Sequence, residues 1–459
     1  MRSRSALGLA ALGLVACGDG AVVGGVEPLR PNANPARNVM VVDEGFDLTA
    51  PELAGKVLAG YTVRCDERAS PPTDRGTNAE LSYEEIKRRY IEGLGVMSTA
   101  CHLEEGISDK ADPLAAIAKY KDRWNGMVRG QRFGNEVFSP AEWAELWPPI
   151  EKELKQYDAH GTSTAGALAH DNGAVRLVLV ERELADPSKR LETFECVDQV
   201  EIDIAARLWR DPDVVAAYLK APSSLYGRQL ATARVRFSVG LVNESFGSRP
   251  RVILEGLQLM KGCAAIDERE YFRAQSAAYA AALEAWRAPN VLWVQSAGND
   301  GLQVSSGVDD LDCAPEDGHR ILVGSDDLVG GPSVFSNFGA CVGVSAPGEN
   351  VIAPYAGGWV FPVQGTSFAA PLVVWQLSRH AVSPFDAVAA RSNLITKRRY
   401  AAEEYPRDFF WAPKGFAAAA RALTLATPTS GAPPPARWSR VDVEEALRPL
   451  ALLREARRR

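Results

Sequence analysis

The sequence predicts an α/β fold, a mainly parallel sheet covered by helices on both faces. Three observations carry that expectation. The chain has 459 residues, 46% of them hydrophobic, which is ample for a large buried core. From Tyr157 onward, short apolar runs alternate with helical stretches, the pattern of parallel strands joined by crossover helices. The short apolar runs at Val291–Gln295 and Ile321–Gly324 read as buried strands.

At the start of the chain, Arg2 and Arg4 precede an apolar run from Ala6 to Ala16 that is too short for a bilayer anchor. Residues 1–16 are therefore expected to be a signal peptide. The run closes on Leu14-Val15-Ala16-Cys17, followed by Gly18. This resembles a bacterial lipobox, which implies lipidation of Cys17 and a mature chain attached to a membrane. The alternative is an ordinary signal peptide that contains a cysteine, and a secreted product. Gly18 is not an aspartate, so the resemblance favours the outer membrane or cell surface. Residues 17–37, rich in Gly, Pro and Asn, read as a tether.

Asn38–Val42 forms an apolar strand ending at Asp43, and Lys56–Val63 a second. A polar, helical region follows. Ser82 and Glu85 form a capping box before Ile86–Leu94. Pro113–Met127 has a helical pattern, and Ser139-Pro140 opens a helix toward Gln156 that Pro148-Pro149 should break or restart. Later expectations are a strand over Val175–Val180, helix over Val197–Leu219, and a strand over Val235–Val242. An alanine-rich helix over Glu268–Trp286 and a helix over Thr366–His380 follow. Residues 427–440 read as a Pro-rich linker and 441–459 as a short helical tail. The main domain is thus expected over 38–426.

The net charge of -7, with 51 basic against 58 acidic residues, gives no basic surface for nucleic acid. Five histidines, seven cysteines and no CxxC spacing argue against a metal cluster or redox motif. Apart from Cys17, the cysteines are Cys65, Cys101, Cys196, Cys263, Cys313 and Cys341, an even set compatible with disulfides in an exported protein.

Three residues define candidate chemistry in combination. A serine hydroxyl is a poor nucleophile without an adjacent base. Ser367, in Gly365-Thr366-Ser367-Phe368-Ala369-Ala370-Pro371, stands at a helix start. His160, in His160-Gly161-Thr162-Ser163-Thr164-Ala165-Gly166, can be the base, and Asp43 can orient its imidazole. The order is Asp, His, Ser. An ester-cleaving α/β-hydrolase would place the histidine last and the serine in G-x-S-x-G, which does not occur here.

These segments, with Val41-Val42-Asp43-Glu44-Gly45-Phe46-Asp47, Ser245-Phe246-Gly247 and Ser296-Ala297-Gly298-Asn299-Asp300-Gly301, resemble the subtilisin-like serine proteases. The resemblance frames Asn38 to His380. It implies a three-layer α/β/α fold and endopeptidase activity through an acyl-enzyme on Ser367. It also implies an oxyanion hole from the Asn299 side chain and the Ser367 amide. Ser245, Phe246, Gly247, Ala297 and Gly298 would bind an extended protein or peptide substrate. A monomer is expected, with no cofactor. Structural calcium is compatible with the resemblance, but no site is assigned; Asp309, Asp310 and Asp312 read as a loop that could also favour basic substrate residues.

Three departures stand out. The stretch between Cys17 and Asp43 is too short for a separate folding propeptide. The interval from Asp43 to His160 is long, and about residues 64–156 read as a largely helical insertion, either surface decoration or a cap over the cleft. The pair Ser163-Thr164 replaces bulkier residues in the histidine motif. The alternative to an enzyme is a binding or scaffold protein that keeps this fold without turnover.

Overall fold

The computed structural model describes residues 29–65, 82–95, 101–108, 110–132, 134–156, 159–182, 199–220, 225–245, 267, 290–304 and 319–411. The expected elements and residues at 1–28, 183–198, 246–266, 268–289, 305–318 and 412–459 lie outside them. These include Cys17, Phe246, Gly247, the three loop aspartates, the helix over Glu268–Trp286 and the segments after the main domain.

The central strand is β1 (Asn38–Asp43), every residue of which is buried. Strand β2 (Val57–Cys65) runs parallel to β4 (Arg176–Arg182), which pairs with β1. On the other side of β1 lie β5 (Leu241–Glu244), β6 (Leu292–Ser296), β7 (Arg320–Asp326) and β8 (Val342–Pro347), all parallel. Among the described residues of this sheet, β3 (Cys101–Glu105), on the edge beside β2, is the one antiparallel strand. Its register sets Cys65 directly opposite Cys101. Cys341 is disulfide-bonded.

Alternation along β1 builds the three layers. Val39 and Val41 face one way, with Leu177 and Leu179 of β4. They pack under α4 (His160–Ala169) through Ala165 and Leu168, and under α8 (Thr366–His380) through Ala370 and Val373. Met40 and Val42 face the other way, with Val178 and Val180, against Leu230, Ala233 and Phe237 from α7 (Leu225–Arg236) and the turn after it. Period-two side chains on a strand buried on both faces require this division.

A second core joins the insertion to the hairpin of β9 (Val351–Tyr355) and β10 (Trp359–Val363). Trp124, Met127 and Val128 come from α2 (Lys121–Arg129), and Leu146 and Ile150 from α3 (Pro140–Gln156). They pack with Tyr355, Trp359 and Phe361, and with Phe368 and Leu372 of α8. The Trp124 indole donates to the Val360 carbonyl (2.8 Å), and Asn125 bonds Gly358 and Val360. Helix α1 (Tyr83–Gly95) docks elsewhere, on α6 (Pro212–Lys220) and the turn after α5 (Gln199–Leu208), where Lys87 pairs with Asp211 and Asp213.

Three expectations need correction. Val235 and Arg236 end α7 instead of opening a strand; Ser238, at φ 50°, turns the chain, and the strand starts at Leu241. Pro148-Pro149 do not break α3, because fully buried Leu146 and Ile150 on either side hold the helix to the second core. The Pro113–Met127 pattern splits at Ile117, whose ψ of 17° lies in a 3-10 turn (Ala115–Tyr120) ahead of α2. Side-chain bonds hold the chain from Leu29 to Arg37: Asn32 to the Ala174 carbonyl and Asn34 to that of Ala381. Helix α9 (Ala387–Lys397) is capped by Asp386.

Candidate active site

Parallel strands bring their C-terminal ends to one edge of the sheet, where α/β proteins place their sites. There β1 delivers Asp43, β5 leads into Ser245, and β6 leads into Ala297-Gly298-Asn299. Ser367 stands in the first turn of α8.

Asp43 is fully buried. Its Oδ1 accepts a hydrogen bond from His160 Nδ1 at 2.6 Å and one from the Glu44 amide at 2.8 Å. Its Oδ2 accepts from the Thr164 hydroxyl at 2.8 Å. The loop after β1 seats the histidine helix. The Gly161 amide donates to the Glu44 carbonyl (2.6 Å) and the Thr162 amide to that of Gly45 (3.1 Å). These are two of the amides that a helix start otherwise leaves without partners. Position 161 must be glycine, since a Cβ there would lie 2.8 Å from both the Glu44 carbonyl and the Phe46 ring. The Thr162 hydroxyl donates to Gly45 and accepts from the Asp47 amide, closing the same loop.

His160 has a side chain 16% exposed. Burial is the largest influence on its proton affinity and works against the imidazolium. The charge of Asp43, the bond to it and the charge of Glu44 outweigh burial, and the pKa lies above the ordinary histidine value.

The Ser367 hydroxyl donates to the Ser245 carbonyl at 2.8 Å, and the Ser245 hydroxyl donates back to the Ser367 carbonyl at 2.9 Å. Asn243 of β5 donates to the Ser245 hydroxyl at 2.9 Å. Asn299 is fixed from the other side. Its Oδ1 accepts from the Thr366 amide (2.8 Å) and hydroxyl (2.9 Å), so the amide nitrogen is the group left to point elsewhere. A Cβ on Gly365 would stand 3.4 Å from that nitrogen, and Gly365 has φ 145°, open to glycine.

Sequence reasoning missed several residues of this framework. Asn337 donates to the Ala297 carbonyl and accepts from the Asp300 and Leu302 amides, bracing the loop that carries Asn299. Thr366 bonds Asn299 and accepts from the Gly298 amide (3.1 Å). Thr164 carried a signal, since with Ser163 it replaces the bulkier pair of the histidine motif. Among the described residues no group of three His, Cys, Asp or Glu is placed to hold a metal ion, and no helix is long and apolar enough to cross a membrane.

The family model described as the subtilase family of S8 peptidases matches residues 37–378. The chain belongs to the subtilase family. Its match contains every strand of the main sheet and the segments that carry Asp43, His160, Asn299 and Ser367. Curated protein sequences give no match. Among solved structures, the chain is similar to the patellamide maturation protease PatG at 15% identity, covering 85% of this chain and 92% of that one, with TM-score 0.35. A cold-adapted subtilisin-like serine proteinase matches at 15% identity, 80% and 84% coverage and TM-score 0.34. A lanthipeptide protease matches at 16% identity, 79% and 81% coverage and TM-score 0.37. Family membership supports a serine protease hydrolase acting on peptide or protein, within a subtilisin-like three-layer fold.

Proposed function

We propose that this subtilase is an endopeptidase that cuts peptide bonds through an acyl-enzyme on Ser367. The observation that carries this reading is the 2.6 Å bond from His160 Nδ1 to Asp43, at the same sheet edge as Ser367. With Nδ1–H committed to Asp43, the imidazole presents Nε2 as the basic nitrogen. Ser367 Oγ attacks the scissile carbonyl while Nε2 takes its proton. The tetrahedral oxyanion is met by the Asn299 side-chain amide and the Ser367 backbone amide. The C–N bond breaks as His160 passes the proton to the leaving amine. Water then attacks the ester, again with His160 as base, and frees Ser367. An extended substrate would lie along Ser245 to Gly247 and Ala297-Gly298 as an added strand.

The test is cleavage of a casein-like protein by purified mature protein, with labelling of Ser367 by a fluorophosphonate. Ser367→Ala should lose both. Correctly folded wild-type protein that neither cleaves nor labels would show a silent scaffold instead.

We further propose that Cys17 carries lipid and holds the enzyme on a membrane surface. One acyl chain binds only marginally, so stable attachment needs the several chains of a lipoprotein. A Cys17→Ser form should leave the membrane fraction; unchanged fractionation would exclude the anchor.

A further inference from the structure

The Asp43 carboxylate has two faces, and only one is spoken for by the proposed chemistry. Oδ1 takes His160 and the Glu44 amide. Oδ2 takes the Thr164 hydroxyl at 2.8 Å. Thr164 lies one helical turn after His160 on α4, so the two side chains project toward the same spot. Both Thr164 and Asp43 are fully buried, and water does not compete for that oxygen. The Thr164 hydroxyl is itself fixed, within 3.3 Å of the Gly161 carbonyl.

We propose that Thr164 is a positioning residue of the site: its hydroxyl clamps Asp43 Oδ2, so that Oδ1 faces His160 Nδ1 and the charge on the far oxygen is taken up. This rests on the triad reading above. A carboxylate held at both oxygens cannot rotate about its Cβ–Cγ bond. A bond to a charged, buried acceptor is also among the stronger kinds. Ser163, its neighbour, does a separate job and donates to the Pro354 carbonyl of β9.

Glu44, on the loop after β1, is the other charged group that acts on His160. Glu181 of β4 and Glu244 of β5 stand in register with Asp43 and Val42 of β1. A change confined to Thr164 leaves all of them in place.

Thr164→Val keeps the shape and removes the hydroxyl. Turnover of a short peptide should drop about ten- to a hundred-fold with KM unchanged. Without the hydroxyl, more of the Asp43 charge acts on His160. The His160 titration, followed by NMR on histidine-labelled protein, should then move up by about one pH unit. Thr164→Ser should restore both. Thr164→Ala carries the same test if the valine form does not fold. A Thr164→Val enzyme with wild-type turnover and an unmoved His160 titration overturns the proposal. So does a serine form as impaired as the valine form, which would assign the role to the methyl group. The titration does not depend on turnover. A wild type that fails to label with fluorophosphonate would thus refute the triad reading while the clamp is still read from His160.

Discussion

Ser245 and Ser367 hold each other through two reciprocal hydrogen bonds, hydroxyl to carbonyl in each direction, at 2.8 and 2.9 Å. The residue that follows β5 is thereby pinned to the first turn of α8 across 122 residues of sequence. The proposed substrate-binding segment and the proposed nucleophile are one mechanical unit. Ser245→Ala removes the donor to the Ser367 carbonyl and the acceptor of the Asn243 amide. Its expected effect is a loss of about 1–2 kcal/mol of stability, read by calorimetry, with a smaller effect on turnover. An unchanged Tm would show that the pair does not hold the helix start.

The pH dependence follows from His160. Its pKa in the folded protein lies above the ordinary value of 6.5. Catalysis needs the neutral imidazole, so kcat/KM should fall as the pH drops through that raised value, and the acid limb should lie above pH 6.5. Stability runs the opposite way. The raised pKa contributes stability that is complete below the unfolded-state value and is lost as the pH rises through the folded one. A pH–rate profile with its acid limb below 6.5 would contradict the geometry around Asp43.

Asn299 and Thr366 should fail together. Asn299→Ala removes the proposed oxyanion donor, with an expected loss of roughly a hundred- to a thousand-fold in kcat, a figure carried over from subtilisin. Thr366→Val leaves Asn299 in place but removes the hydroxyl that holds its Oδ1 and accepts from Gly298. Turnover should fall about ten-fold, and the double variant should be little worse than Asn299→Ala alone. Additive losses would mean that Thr366 acts by another route.

What the sequence made legible, and what it hid, divides along the range of the interactions involved. The helix from Thr366 to His380 follows from signals a few residues apart, a glycine at its start and an unbroken apolar face. Asp43, His160 and Ser367 sit in short motifs, and the proposed chemistry is read from those motifs alone. Val235–Val242 misled because a β-branched, apolar run carries the strand pattern wherever it falls. In fact Val235 is 72% exposed on a helix end, and the turn at Ser238 decides the boundary. Gly240 then fits against the Pro35 backbone, where a Cβ would meet carbon at 2.7 Å. The hold of Trp124 on Val360 spans 236 residues, and Asn337 braces a loop that no local pattern links to it. Such pairings come from packing, which residue order alone does not reveal.

The long segment between Asp43 and His160 reaches the site through a buried tyrosine. Tyr355, at the end of β9, donates its hydroxyl to Glu153 of α3 at 2.7 Å and accepts from the amide of Ala159 at 3.3 Å. Ala159 is the residue before His160. The insertion, the hairpin and the residue before the proposed base therefore share one hydroxyl group. Cutting out residues 64–156 would also bare Tyr355, Trp359 and Phe361, so an insoluble product is expected and would say little about access. Tyr355→Phe is the sharper change, since it keeps the ring and its packing. The Ala159 amide and the Glu153 carboxylate each lose a bond in a buried place, and stability should fall by about 1–3 kcal/mol. Displacement of the chain before His160 should reduce kcat several-fold on a short peptide, with KM little changed. Glu153→Gln keeps an acceptor for the tyrosine and should be milder on both counts. Wild-type kcat and Tm in Tyr355→Phe would return the insertion to surface decoration. Loss of stability with full kcat would make it a structural prop that leaves His160 undisturbed.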